Sequence, residues 1–183
     1  GYMQTKWDGA PSVVCGKHPV NGAFFVGTKS VFNKEMPKVC YDESDVDMHY
    51  GDASTDLRDK LKLCVKYFPS LNMDSVCQGD LLFTSDVKSE TVDGENLYTF
   101  KPNAITYGIP VDHPIGKRLG KSKIGIVFHT SYTGNDIATM TARAGAPKMK
   151  PTADVFLVDN DTPMDDISVD KSVLSKFEQN ISI

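Results

Sequence analysis

A chain of 183 residues, 40% of them apolar, can bury about 70% of its unfolded surface, enough for one self-sufficient core. Its formal charge of −4 and pI near 5.5 exclude a protein whose whole surface tracks phosphates, so any contact with nucleic acid must be local. No apolar run approaches the length of a membrane helix and the start lacks the basic-then-apolar order of a signal peptide, so the chain reads as soluble, without a membrane partner.

Lys6-Trp7-Asp8-Gly9 comes first along the chain, just ahead of the first strand-like run. Residues 12–15 and 23–31 are apolar or β-branched runs separated by His18-Pro19-Val20-Asn21-Gly22, and this turn-rich stretch predicts a hairpin. From Asp56 to Phe68, Leu57, Leu61, Cys64, Val65 and Phe68 recur at three- and four-residue steps. That spacing predicts an amphipathic helix capped by Ser54 or Thr55. Strand-like runs follow at 76–84, 97–101 and 104–110, then a basic stretch at 115–123, then strands over 124–130 and 155–158. Val169, Val173, Leu174, Phe177 and Ile181 mark a last helix with one apolar face. Hairpin-type connections outnumber long crossovers, so the expected fold class is α+β: a mainly antiparallel, twisted sheet core with flanking helices. Residues 1–183 show no repeat or low-complexity linker and read as a single domain. It is expected to lack flanking segments at one or both ends, because the Lys6 motif begins five residues from the start and the last helix has no stop signal.

The four cysteines, Cys15, Cys40, Cys64 and Cys77, contain no Cys-x-x-Cys pair, and the four histidines, His18, His49, His113 and His129, show no metal-ligand spacing. Reduced thiols without a zinc site are the expectation. His129 itself reads as a satisfied histidine at a strand end.

A lysine attacks the α-phosphate of a nucleotide only as the neutral amine, so its site must lower the pKa by desolvation or by neighbouring cations. Lys6 at a strand edge suits that role; Asp8 would point to the same side of an extended segment, and Gly9 lets backbone approach a ligand. By itself the tetrapeptide is equally an Asp-Gly turn beside a solvated lysine, since chance puts Lys-x-Asp-Gly in about one chain in twenty-five of this length. The context is more specific. A hairpin follows, ending in Gly27-Thr28-Lys29-Ser30; then comes Gln78-Gly79-Asp80 running into Leu81-Leu82-Phe83; then Tyr107 within Ile105-Thr106-Tyr107-Gly108-Ile109.

In that order the segments resemble the covalent lysine nucleotidyltransferases, the superfamily of ATP-dependent polynucleotide ligases and RNA-capping enzymes. The resemblance implies a ligase-type nucleotidyltransferase fold, or part of it, with Lys6 as the catalytic nucleophile. It implies Asp8, Gly9, Lys29, Asp80 and Tyr107 as nucleotide-binding residues, Tyr107 by stacking on the base. It further implies a nucleoside triphosphate, ATP first, as substrate, Mg²⁺ as cofactor on ligands the sequence does not assign, and transfer of the nucleotide to a nucleic-acid end. Lys29 stands where the superfamily has Arg and Asp80 where it has Glu, which shortens or weakens contacts to sugar, phosphate or metal. Asp93-Gly94-Glu95 spells the acidic triplet more literally but lies between two strand-like runs after Ser89, Glu90 and Thr91, and reads as a hairpin turn.

Two superfamily motifs match poorly. Ile124 to Phe128 has an apolar strand without the glutamate of the Glu-Gly metal motif, and Lys148-Met149-Lys150 sits between Pro147 and Pro151. Either these segments are degenerate versions of the motifs or the true motifs lie beyond Ile183; the second is the expectation, so that the full-length protein is labelled by nucleotide and this 183-residue form weakly or not at all. Gly116-Lys117-Arg118-Leu119-Gly120-Lys121-Ser122 is one residue short of a phosphate-binding P-loop and has prolines before it and a strand after it. It reads as a basic helical turn whose Lys117, Arg118 and Lys121, with Lys123, form a local patch for a nucleic-acid backbone.

More narrowly, Asp8 to Pro11, Phe24 to Ser30, Gln78 to Asp80 and Gly125 to Thr130 resemble an uncharacterised family of proteins from large tailed phages, over roughly residues 5 to 134. That implies a location in the host cytoplasm, with virion association left open. The alternative to an enzyme is a non-catalytic phage protein, structural or partner-binding, that keeps a degenerate ligase-like fold.

Overall fold

The structure, a computed structural model, describes residues 11–158. Lys6, Asp8, Gly9 and the helix expected over 169–181 lie outside the described residues.

The chain forms an α+β fold of two sheets with few helices. β1 (Ser12–Lys17) and β2 (Phe24–Gly27) form the expected antiparallel hairpin, with Val14 opposite Gly27 and Lys17 opposite Phe24. The second strand was expected to run to Val31 but stops at Gly27. A Cβ at Gly27 would lie 2.4 Å from Val31 Cγ1 and 2.8 Å from the Lys38 carbonyl, so the chain folds back on itself there. Thr28 then caps a 3-10 turn over Lys29–Phe32, its hydroxyl accepting from Ser30 N. After α1 (Glu43–His49), α2 (Thr55–Tyr67) matches the expected amphipathic helix, and Ser54 Oγ accepts from Leu57 N at 3.2 Å as its N-cap. Ser54→Ala should lower the unfolding free energy by about 1 kcal/mol, measurable by urea titration.

β3 (Val76–Phe83) is the central strand. It pairs with β1 on one side and with β7 (Ile124–Thr133) on the other, both antiparallel. β8 (Thr141–Ala144) pairs antiparallel with the second half of β7, and β9 (Val155–Val158) pairs parallel with its first half. The order β2-β1-β3-β7-β8, with β9 also on β7, makes a six-stranded sheet. Between β3 and β7 the chain makes a separate antiparallel sheet of β4 (Lys88–Val92), β5 (Glu95–Phe100) and β6 (Tyr107–Pro110), then α3 (Pro114–Lys121). Asp93 and Gly94, at φ 51° and 82°, turn β4 into β5, the hairpin that the sequence suggests for this triplet.

Alternation along the strands sorts side chains to two faces. Val13, Cys15, Cys77, Leu81, Ile126 and Phe128 pack against Leu61, Cys64 and Phe68 of the helical layer. On the other face Val14, Phe25 and Val76 pack with Val31 and Ile137, while Leu82, Val127, Phe156 and Val158 pack with Ile109, Ile115 and Leu119. That second face therefore carries two apolar clusters rather than one.

All four cysteines are buried and free. Burial raises the thiol pKa of Cys15, Cys64 and Cys77, and burial with the nearby Asp45 and Asp42 carboxylates pushes Cys40 up to about 12. A thiol reagent at pH 8 should react with none of the four in the native protein and with all four in denaturant. Because the native state holds the Cys40 proton above the ordinary value of 9.0, that stabilisation is complete below pH 9 and is lost as pH rises toward 12. The melting temperature should fall across that window. Among the described residues no helix is long and apolar enough to cross a membrane.

Candidate functional site

Gln78 and Asp80 occupy the stretch of β3 between Val76 and Leu82, on the face away from α2, so they lie between the two apolar clusters of that face. The β3–β7 register slips there: Gln78 faces Thr130 but Gly79 faces Phe128, leaving His129 as an extra residue in a β-bulge. Gly79 permits it. A Cβ at Gly79 would sit 2.5 Å from the Val127 carbonyl and 3.0 Å from Phe128 Cα.

The bulge re-aims His129 toward Asp80. His129 Nε2 lies 3.3 Å from Asp80 Oδ1, and Nδ1 lies 2.8 Å from Thr130 Oγ1. With Nε2–H donating to the carboxylate and Nδ1 facing the Thr130 hydroxyl, the imidazole is held from both sides. Both side chains reach solvent, His129 at 31% and Asp80 at 18% exposure. Next to them Gln78, only 6% exposed, donates from Nε2 to Ser12 Oγ at 2.7 Å and accepts from the Tyr132 hydroxyl at 2.5 Å. Burial raises the Tyr132 phenol above its usual pKa, which keeps it the donor in that bond. The result is a polar strip across three strands, closed upon itself at Gln78 and open at the Asp80–His129 pair.

The register also fixes what lies beside Asp80. Ser12 is opposite Asp80, Asp80 is opposite Val127, and Val127 is opposite Val158, one cross-strand row at about 4.8 Å per step. The neighbouring row is Gly27, Val14, Gln78 and Thr130. Lys29 opens the 3-10 turn two residues beyond Gly27 and is exposed. Lys29 and Asp80 thus belong to the same end of the six-stranded sheet. Tyr107 belongs to the other sheet. It is 8% exposed and stacks on Phe100, with ring centroids 5.5 Å apart and planes at 20°. Its cluster includes Leu82 and Val127, which neighbour Asp80 along and across the strands.

Two surface clefts, of about 460 and 560 Å³, are lined by none of Lys29, Asp80 and Tyr107. The larger is lined by Lys148, Met149 and Lys150 together with residues 70–75. Met149 packs on the helix-side cluster, so this lysine pair is on the opposite side of the sheet from Asp80. Lys117, Arg118, Lys121 and Lys123 are all exposed, on α3 or just beyond it, and the Arg118 guanidinium lies 5.6 Å from the Phe156 ring centroid. α3 does not open a phosphate loop. His113 Nδ1 and Pro114 cap it, and a Cβ at Gly116 would lie 1.9 Å from the Pro110 carbonyl, so that glycine serves packing.

The Asp80–His129 pair is invisible to motif reading, because a bulge decides which β7 residue meets Asp80. Its only trace in the sequence is a histidine directly after the apolar run 124–128. Among the described residues no group of three or more His, Cys, Asp or Glu side chains could hold a metal ion.

The fold and candidate site define a two-sheet α+β protein with a partly exposed acid–imidazole pair between two apolar clusters of one sheet face. The model of the Family of unknown function (DUF6267) matches residues 1–183, and the chain belongs to that family. No curated protein and no solved structure matches it.

Proposed function

We propose that this protein is a ligase-like nucleotidyltransferase. Lys6 attacks the α-phosphorus of a nucleoside triphosphate, ATP first; the N–P bond forms as the bond to the β-phosphate breaks, and pyrophosphate leaves with the electron pair. An oxygen of a nucleic-acid end then attacks the same phosphorus and releases the lysine. The observation that carries this reading is the pairing of Ser12 with Asp80. The chain that bears Lys6, Asp8 and Gly9 enters the sheet at Ser12, directly opposite Asp80, which stands where the superfamily pattern has its glutamate. Pro11 is anchored there, its carbonyl accepting from Leu81 N at 2.9 Å. Lys6 precedes Pro11 by five residues, a reach of at most about 18 Å. Lys29 at the same end of the sheet, and two largely antiparallel sheets with flanking helices, agree with a ligase-type fold.

Mg²⁺ is commonly held by one or two carboxylates together with substrate phosphates. Asp80, a single partly exposed carboxylate, fits that arrangement and would be the residue to hold it. The ion would offset the charge of the triphosphate. Tyr107 favours the second reading, a non-catalytic phage protein, since its ring is already stacked in the core on Phe100.

Incubating the full-length protein with α-labelled ATP or GTP and Mg²⁺, followed by denaturing electrophoresis, tests the proposal. A covalently labelled band is expected, and no band with any nucleotide would overturn the proposal and favour the non-catalytic reading. Asp80→Asn should cut the labelling rate at least about tenfold, because a neutral amide replaces the carboxylate that would hold the ion.

A further inference from the structure

The smaller cleft, of about 460 Å³, lies where β3 ends, between β4, β5 and the last turns of α2 and α3. We infer that it binds a single nucleic-acid strand, the acceptor side of the transfer proposed above, and the inference rests on that reading for its biological sense. Acidic residues outnumber basic ones in this chain, 24 to 20, yet the cleft is lined by no Asp or Glu. It is lined instead by Lys88 and Lys123, four hydroxyl residues including Thr84 and Ser89, and two tyrosines, Tyr67 and Tyr98. The adjacent Asp86 is tied to the backbone of its own turn, its carboxylate accepting from Thr84 N at 2.8 Å.

Cation, hydroxyl and aromatic ring are what a strand requires: charge for phosphates, donors for sugar and phosphate oxygens, and a flat surface for a base. Tyr98 lies against α3 because residue 120 is glycine; a Cβ there would be 2.8 Å from the ring. On the α2 side, Lys66 Nζ sits 5.2 Å from the Tyr67 ring centroid and adds a further cation near the rim. Exposed Lys117 and Lys121 of α3 add positive charge beyond the residues that line the cleft. A cleft of this volume admits a base or two but no duplex. Thr84 follows Asp80 by four residues of nearly continuous strand, roughly 13 Å along β3; the cleft is shared by Leu63 and Tyr67 of the helical layer and by Val87, Tyr98 and Leu119 of the other face, so a strand seated here passes around the end of β3 to approach the face that bears Asp80.

The test is fluorescence anisotropy of a fluorescein-labelled oligothymidylate titrated with full-length protein, without any nucleoside triphosphate. Lys88→Glu with Lys123→Glu, both at exposed positions, should weaken binding more than tenfold. The paired Lys→Ala changes should lower the log–log salt slope by about 0.7 per lysine. Tyr98→Leu should weaken binding about tenfold without changing that slope, and Tyr98→Phe should restore it, since stacking needs the ring and not the hydroxyl. Wild-type failure to bind, charge reversal without effect, or a Tyr98→Phe variant as weak as Tyr98→Leu would each overturn the inference. Because strand binding is read without nucleotide, its loss beside intact covalent labelling sinks this inference alone, whereas intact binding without labelling sinks the transferase reading.

Discussion

Lys6→Ala should abolish covalent labelling of the full-length protein by nucleoside triphosphate, and Lys6→Arg should be as damaging. The argument is electronic. The nucleophile is a nitrogen lone pair, which a lysine supplies once its ammonium loses a proton, while a guanidinium stays protonated across the accessible pH range. A residue that only contributed charge to phosphate binding would tolerate arginine, so this pair of variants separates a nucleophile from a positive contact. The readout is the labelled band after denaturing electrophoresis, with the melting temperature of each variant as the control for folding. Labelling that survives Lys6→Ala would place the covalent bond elsewhere and remove the mechanism.

Gly79→Ala is expected to cost about 2–3 kcal/mol, since a methyl group placed 2.5 Å from the Val127 carbonyl forces backbone to move in the central ladder of the sheet. For a domain of this size that corresponds to a melting temperature lower by roughly 5–10 °C. Gly94→Ala is the informative comparison. Gly94 has φ +82° but an added Cβ would meet nothing within 4 Å, so only the conformational penalty of about 1 kcal/mol applies. If Gly79→Ala melts as the wild type does, the bulge at His129 does not depend on close backbone approach. If it melts low but still labels, Asp80 does not need its imidazole neighbour.

The parts of the fold legible in the sequence are those specified by local pattern. The β1–β2 hairpin follows from a turn cluster between two apolar runs, α2 from Leu57, Leu61, Cys64 and Phe68 at helical steps, and the β4–β5 turn from Asp93-Gly94. α1 has a single buried residue, Val46, so no apolar period announces it. Its signal is at the cap instead: Asp42 accepts from Asp45 N and from the Ser44 hydroxyl, which holds its carboxyl below the usual pKa. β4 is mostly exposed and β8 wholly so; hydrogen bonds to a partner strand make them strands, with Val92 against Leu97 as the one buried apolar contribution. The candidate site was legible only in part. Asp80 and Lys29 stand out by order along the chain, but the pairing of Asp80 with His129 depends on an interstrand slip that no local pattern encodes. Likewise Lys148 and Lys150, attractive as a pair in the sequence, lie across the sheet because the segment before β9 crosses the helical face.

The row that joins Ser12, Asp80, Val127 and Val158 bears on how the protein should be handled. A dye or other bulky group attached at Ser12 or Val158 would sit at the level of Asp80 and crowd whatever approaches it. The exposed Asp93-Gly94 tip is free of that difficulty, since space is open around Gly94 and exposed loop tips accept insertions best. Reporter groups for binding experiments belong there.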